Sequence, residues 1–543
     1  MASSSLIYRR AMRTLQAQPL LVRITAGAIV AVLLVDLIAL GAGGRSSGGS
    51  TNAAAGNRRS TVSTGGALPS AVAPSDSTAS GGGPLGGGTD DETVGAAGVA
   101  GGNNTTLGGG SGGGGDACPQ HPLGDSDKGV TTEKIKVVFP WFDISQYTSV
   151  SGTNTDEPIE AGGDAVNALV NWVNTNMCLG GRTIDAQVES FNPLNETEMQ
   201  ELCRRWTEDD RAFAVVDSSA WHSYHQKCIA QDHQTPLVTS LGLTEQWPRD
   251  ASPYLWYTAP TTEETVMDWV AWMVESGELT SNNVIGVVTG GREEEKVGRA
   301  ALERAFQHFG LQATFKEIPG VATDVAAAQV PIGLAISEFK DKKVDRLVVG
   351  LTALVFTTFA QQADTQEFWP RYELGDWNST LVVAEALIAT QNSRAFQGGA
   401  IGPTFMHLGE VAAAQGGAMT ATEQLCADIW QQANPTADPA TRAGVAMRWC
   451  DNILMFAEGV RRATLNNNGV LTRDNWAQAM ATIQNVEGGM TPSYSFASGD
   501  FSGPTVTKIV ELHIDEEEFC GSRGDTDAHC LVEVAPYGPM RRF

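Results

Sequence analysis

Residues 213–240 read FAVVDSSAWHSYHQKCIAQDHQTPLVTS, and this stretch decides the fold. Phe213 to Val216 is a short apolar run with β-branched residues and polar flanks, the pattern of a buried strand. Asp217-Ser218-Ser219 follows, then Trp221, then a helix-length segment to about Gln231, then a second apolar run, Pro236 to Thr239. A strand–loop–helix–strand unit of this length predicts two parallel strands joined by a right-handed crossover. Ligands of open parallel sheets bind beyond the carboxyl ends of the strands. Ser218, Ser219 and Ser240 stand at such ends, where hydroxyls and free backbone N–H groups can hold a small anion. The alternative for the same serines is capping of helix starts.

Working outward, the unit recurs. Before it lie a strand at Lys134–Phe139 with Pro140 to Asp143 as its C-terminal loop, a helix over Ala161–Met177, a strand within 180–189 and a helix over Asn195–Asp210. After it comes a strand at Tyr254–Thr258. Beyond Pro260 the series restarts: helix 262–277, strand 283–289, helix 293–310, strand 313–318, helix 324–340 despite Pro331, strand 344–350, helix 352–364 and strand 380–387. Two successive β/α series predict two α/β lobes. Long helices over 421–462, another over 472–484 and a late strand at 505–513 fit a chain that leaves the first lobe, builds the second and returns.

The 543-residue chain carries a net charge of −26, which excludes a nucleic-acid binder, since that needs basic surface. Residues 1–23 hold four Arg and no acid, a basic segment expected in the cytoplasm. Residues 24–42 are nearly all apolar, broken by Asp36. This is either an uncleaved transmembrane signal anchor or a long signal peptide cut near Ala42, and both place the remainder outside the membrane. Residues 43–116 are mostly Gly, Ser, Ala and Thr, the composition of a disordered linker. In an exported chain the even number of cysteines points to disulfides. Neighbours in sequence suggest Cys118–Cys178, Cys203–Cys228, Cys426–Cys450 and Cys520–Cys530. No CxxC occurs and His is sparse, so no metal site is expected.

No phosphate-binding glycine motif and no GxSxG elbow is present, and no cofactor is expected. Ser218 with His222 lacks a third group to orient an imidazole, so no enzyme is read here. Candidate ligand contacts are the residues at strand ends: Trp141, Ser218, Ser219, Trp221 and Ser240 from the first series, Thr289, Thr352 and Glu385 from the second. Each aromatic can equally plug a core. Glu385 can equally be a solvated carboxylate. Arg292 has Glu293 to Glu295 beside it as natural partners.

Several stretches carry a family resemblance in a shared order. Gly129-Val-Thr-Thr-Glu-Lys-Ile-Lys-Val137, Asn174 to Arg182 with its Gly180-Gly181-Arg182, Asn283 to Val288 followed by Gly298, Asn468-Gly469 with Leu471-Thr472, and Ser495 to Gly503 are similar to motifs of branched-chain amino-acid binding proteins. These are the type I extracellular solute-binding proteins of ABC importers. The resemblance implies two Rossmann-like lobes joined by three crossovers near Pro260, Gly402-Pro403 and Thr491-Pro492. The lobes would then be 117–260 with 403–492, and 261–402 with 493–543. It implies a small-molecule ligand in the cleft, a permease as partner and no chemistry. In amino-acid binders of the family the positions of Ser218, Ser219 and 239–244 hold a carboxylate, and an acid near Glu385 holds the ammonium. The aromatic usual after the first strand of the second lobe is absent, because Glu293 to Lys296 fill that loop. A sensory or scaffold ectodomain on the same fold is the alternative.

Overall fold

The computed structural model describes residues 105–107, 124–142, 161–191, 196–218, 226–319, 325–351, 353–377, 394–407, 420–435, 442–513 and 530–541. The first sheet has five strands: β2 (Lys134–Phe142), β3 (Thr183–Phe191), β4 (Ala214–Asp217), β5 (Leu237–Thr239) and β6 (Leu255–Tyr257). They run in the order β3-β2-β4-β5-β6, every neighbouring pair parallel. A parallel sheet is covered on both faces, so its strands read as continuous apolar runs. The two-residue period still sorts the side chains. Val137, Phe139, Ala214, Val216, Val238 and Trp256 enter one core, while Val138, Val215, Leu237, Leu255 and Tyr257 enter the other. The first core is closed by α1 (Ala161–Asn176) and by three late helices, α8 (Ala421–Ala433), α9 (Arg442–Asn466) and α10 (Arg473–Met480). The second is closed by α2 (Glu196–Arg204), the helical turn Lys227–Asp232 and the short α3 (Gln246–Asp250), with Cys203–Cys228 tying the first two together. β2 runs through Phe142 in register with Phe191, so Trp141 lies within the strand rather than in a loop after it.

The second sheet has seven strands in the order β14-β13-β11-β10-β9-β7-β8. Here β7 is Ile285–Gly290, β8 Ala313–Ile318, β9 Arg346–Gly350, β10 Arg371–Glu373, β11 Ala400–Thr404, β13 Val506–His513 and β14 Cys530–Pro539. The strands from β8 to β11 are parallel, and β13 and β14 are antiparallel to their neighbours. One face packs on α4 (Thr262–Glu275) and α5 (Glu293–His308), the other on α6 (Val325–Asp341) and α7 (Ala353–Thr365). β10, β11 and β14 were not legible as strands. β10 is three residues with two charges, and β11 contains Gly402 and Pro403. A Cβ at Gly402 would stand 1.5 Å from the Leu374 carbonyl oxygen, so only glycine fits this close approach. The strand expected at 380–387 lies outside the described residues.

The chain passes between the sheets three times: from β6 into α4, from β11 toward α8, and from α10 toward β13. Ala259, Phe405, Met406 and Met490 come from these three passages and form a small apolar cluster of their own. The first passage ends in a capping box, Thr261 with Glu264. Cys426–Cys450 fastens α8 to α9, and Cys178 is also disulfide-bonded. Cys118 and Cys520 lie outside the described residues. So do residues 24–42; among the described residues no helix is long and apolar enough to cross a membrane. Within the expected linker 43–116, one piece is packed. Thr105–Thr106 (β1) pairs in parallel with Val486–Glu487 (β12), and the neighbouring Leu107 is buried in the first core. Leu107 is one of few large apolar residues in that Gly-rich stretch and is flanked by Gly, Asn and Thr, which is why composition hid it.

Candidate functional site

β4 brings Asp217 and Ser218 to the carboxyl edge of the first sheet. Asp217 is buried, and Thr239 Oγ1 at the end of β5 donates to its Oδ2 at 3.1 Å. Asn452, on α9, donates from Nδ2 to the Asp217 carbonyl at 2.6 Å. Its own Oδ1 accepts from Thr258 Oγ1, just past β6. The backbone N–H of Ser240 reaches the Asp217 carbonyl at 3.3 Å, and that of Leu241 reaches Thr239 Oγ1 at 3.2 Å. Asn452 thus ties the end of β4 to the residue after β6, and Thr239 ties the end of β5 to both. Buried polar groups of this kind are costly unless partnered, and a satisfied network fixes the floor rigidly. Ser218 stands next to it. It is 8% exposed, and its Oγ makes no hydrogen bond among the described residues. Ser240 is half-buried.

In the second sheet Thr289 is the next-to-last residue of β7. It is fully buried, and its Oγ1 also has no partner among the described residues. Beyond it the loop is shaped by Glu295. That carboxylate accepts from the Arg292 N–H at 2.9 Å and pairs with the Arg292 guanidinium at 3.3 Å, so Arg292 is engaged locally, as its acidic neighbours implied. A Cβ at Gly290 would lie 2.2 Å from the Glu295 carboxyl, which explains the Gly290-Gly291 turn without any phosphate. Trp377 packs against two further glycines. A Cβ at Gly298 of α5 or at Gly350, the end of β9, would meet its ring at 2.0 Å. The second lobe therefore does have an aromatic beside its strand ends, supplied by the segment after β10 and buried in the lobe's core.

The passages between the sheets are held by polar contacts as well as by their apolar cluster. Asp451, fully buried beside Asn452, accepts from the N–H of Gly489 at 2.6 Å, the N–H of Met490 at 2.9 Å and the Tyr494 hydroxyl at 2.7 Å. Burial raises its carboxyl above the usual range, against the lowering effect of those three donors. The His407 N–H donates to the Met490 carbonyl at 3.0 Å, joining the second passage to the third. The Phe405 N–H donates to Asp376 Oδ2 at 2.7 Å, and the Tyr537 hydroxyl to the Met406 carbonyl at 3.0 Å.

Of the expected contacts, then, Ser218, Ser240 and Thr289 stand at the carboxyl ends of strands in the two lobes. Thr239 and Thr244, expected to help hold a carboxylate, are occupied. Thr239 serves Asp217 and Leu241, and Thr244 Oγ1 accepts the Trp247 N–H at 3.3 Å. Trp141 is described through its backbone alone. Ser219, Trp221, His222, Thr352 and Glu385 lie outside the described residues. Asn452, Asp451 and Trp377 were not singled out from sequence. The available signal was the polar pair Asp451-Asn452 directly before the apolar run Ile453 to Ala457. A cavity of about 270 Å³ lies between Pro248 and Arg249 of the first lobe, Thr261, Glu264 and Met267 at the start of α4, and Phe501, and one of about 370 Å³ lies near Pro253, Asp474 and Phe501; neither is lined by Ser218, Ser240 or Thr289.

Residues 147–511, more than half of the chain, match the family model described as periplasmic binding protein. The chain belongs to the periplasmic binding protein family. Among solved structures, the fold is similar to that of a fatty acid ABC transporter substrate-binding protein from Thermomonospora curvata, at 16% identity and a TM-score of 0.55, covering 77% of this chain and 95% of that one. It is likewise similar to a branched-chain amino acid ABC transporter protein from Thermus thermophilus with bound valine, at 13% identity and a TM-score of 0.55, covering 77% and 97%. A third similar structure is a solute-binding protein from Rhodopseudomonas palustris BisB5 in complex with 3,4-dihydroxybenzoic acid, at 13% identity and a TM-score of 0.53, covering 75% and 98%. At these identities the likeness establishes the type I two-lobed fold. No curated protein matches the chain.

Proposed function

We propose that this protein is an extracytoplasmic solute-binding protein that captures one small polar ligand between its lobes and presents it to an ABC importer, without chemistry of its own. The observation that carries this reading is the pair of buried hydroxyls at strand ends of different lobes, Ser218 Oγ and Thr289 Oγ1, which have no hydrogen-bond partner among the described residues. A buried hydroxyl without a partner costs about 1–3 kcal/mol, and a ligand that accepts from both removes that cost in the closed state alone. Closure is a hinge motion about the three passages, favoured by whatever touches both lobes. Ser219 and Ser240 would hold a ligand carboxylate, Glu385 an ammonium if the ligand is an amino acid, and Trp141, Trp221 and Thr352 would complete the walls. The apolar segment 24–42 and the Gly-rich linker after it would tether the domain to the membrane.

The test is a thermal-shift panel on the detergent-solubilised full chain, using amino acids, amides, benzoates and fatty acids at millimolar concentration. A compound at 100 times its Kd stabilises by about 2.7 kcal/mol. At least one class should raise Tm, and Ser218→Ala should reduce that gain with little effect on the ligand-free Tm. A panel that leaves Tm unchanged throughout, or a gain untouched by Ser218→Ala and Thr289→Val alike, would overturn the reading.

A further inference from the structure

Lys227 and Glu293 sit on different lobes and face each other. Lys227 opens the helical turn after β4 in the first lobe, and Glu293 is the first residue of α5, directly after β7 in the second. Lys227 Nζ lies 3.4 Å from Glu293 Oε1. The ammonium is also held in place: it sits 4.2 Å from the centre of the buried Trp247 ring, a cation–π contact that keeps the long side chain extended toward the other lobe. The turn that carries Lys227 is itself anchored: the Tyr257 hydroxyl of β6 donates to Gln226 Oε1 at 3.1 Å. An opening that moves Lys227 and Glu293 apart by about 3–5 Å takes them out of ion-pair range.

We propose that Lys227 and Glu293 form a latch across the cleft, an ion pair made when the lobes close and lost when they open, which biases the protein toward closure before any ligand contact is counted. The inference rests on the two-lobed binding reading but adds an element that touches no ligand. A part-exposed pair of this kind shifts an equilibrium by about two- to fivefold at low salt, and less as salt screens it. The open-to-closed ratio should therefore rise about two- to fivefold when either charge is removed. Any ligand gripped by both lobes should bind more weakly and leave faster by up to the same factor.

The experiment measures lobe separation in the ligand-free full chain by pulsed electron paramagnetic resonance, with spin labels at Gln200→Cys on α2 and Ala300→Cys on α5, both exposed. Wild type at about 20 mM salt should favour the short distance. Lys227→Gln and Glu293→Gln should each shift weight to a longer one. Raising salt to about 0.5 M should move wild type but not Lys227→Gln. Distance distributions that coincide in all three proteins, or a wild type that ignores salt, would overturn the latch. A chain that responds to these changes but is stabilised by no compound of the thermal-shift panel would keep the latch and sink the transport reading. A chain that binds a panel compound while its distances ignore Lys227 would do the reverse.

Discussion

Replacing Asp451 by Ala should cost about 3–5 kcal/mol of folding stability. The side chain is fully buried on α9 and accepts three hydrogen bonds, all from the third passage between the lobes: two backbone N–H groups, at Gly489 and Met490, and the Tyr494 hydroxyl. Truncation leaves three buried donors without an acceptor, each costing about 1–3 kcal/mol. The sum is reduced because the desolvated carboxylate, whose burial raises its pKa, is removed as well, and because the Tyr494 hydroxyl can rotate. No repacking fills the gap readily. Gly488 is already so close that a Cβ there would stand 2.2 Å from the Tyr494 ring and 2.7 Å from the Asp451 carboxylate. Against a total of about 5–15 kcal/mol for a typical domain, the loss is a large fraction. The assay is urea unfolding followed by tryptophan fluorescence, with the midpoint compared at constant m-value. Asp451→Asn, which keeps the volume but turns an amide donor toward N–H groups, should lose about half as much. A loss below about 1 kcal/mol in Asp451→Ala would refute the reasoning, because the donors must then find other partners at little cost.

Glu373 on β10 is fully buried, and neither carboxylate oxygen makes a hydrogen bond among the described residues. Burial first, then the charge of Glu278, pushes its carboxyl up from 4.5 to about 8, although Arg346 lies 3.6 Å away. The proton is thus held more tightly in the folded chain, so this group costs nothing below pH 4.5, costs progressively more as pH rises to about 8, and is constant above. Glu373→Gln should therefore gain stability over wild type across that window, at up to about 1.4 kcal/mol per pH unit, and parallel urea midpoints at pH 5, 6.5 and 8 would refute it. Removing Cys203–Cys228 by a double Ser substitution should cost about 3 kcal/mol on the chain-entropy estimate for its 25-residue separation. Peptide mapping that pairs Cys203 elsewhere would refute the connectivity.

What the sequence carried best was where strands end. Residues 213–239 and 283–289 could be read as parallel strands because a sheet buried on both faces demands continuous apolar runs, and that pattern puts Ser218 and Thr289 at carboxyl ends. What it could not carry was which hydroxyl is already spent. Ser218 and Thr239 lie at the ends of adjacent strands, yet Thr239 is engaged with Asp217 while Ser218 Oγ has no partner among the described residues. Nor could it carry Asn452, which bonds the Asp217 carbonyl and the Thr258 hydroxyl from 235 residues along the chain, because no local pattern announces a partner at that distance. β10 and β11 were missed for a related reason, since their strand state comes from sheet neighbours rather than from alternation or β-branched content.

The same contacts suggest why the two lobes are built differently around the cleft. In the first lobe the carboxyl edge is sewn across β4, β5 and β6 by Asp217, Thr239, Thr258 and Asn452, and the adjacent Asp451 extends that polar set into the third passage. The floor and one strand of the hinge therefore share a helix, α9. In the second lobe the edge is set by close packing: Glu295 against Gly290, and Trp377 against Gly298 and Gly350. A hydrogen-bonded edge resists displacement of any one strand, whereas a packed edge resists compression of the whole. If the lobes close as proposed, they would move as rigid bodies, and the strain would fall on the small cluster of Ala259, Phe405, Met406 and Met490 and on the Asp451 bonds beside it. Substitutions at Asp451 should consequently change ligand affinity as well as stability, while Gly350→Ala should change stability first. Comparing the two variants in one binding assay separates the hinge from the wall.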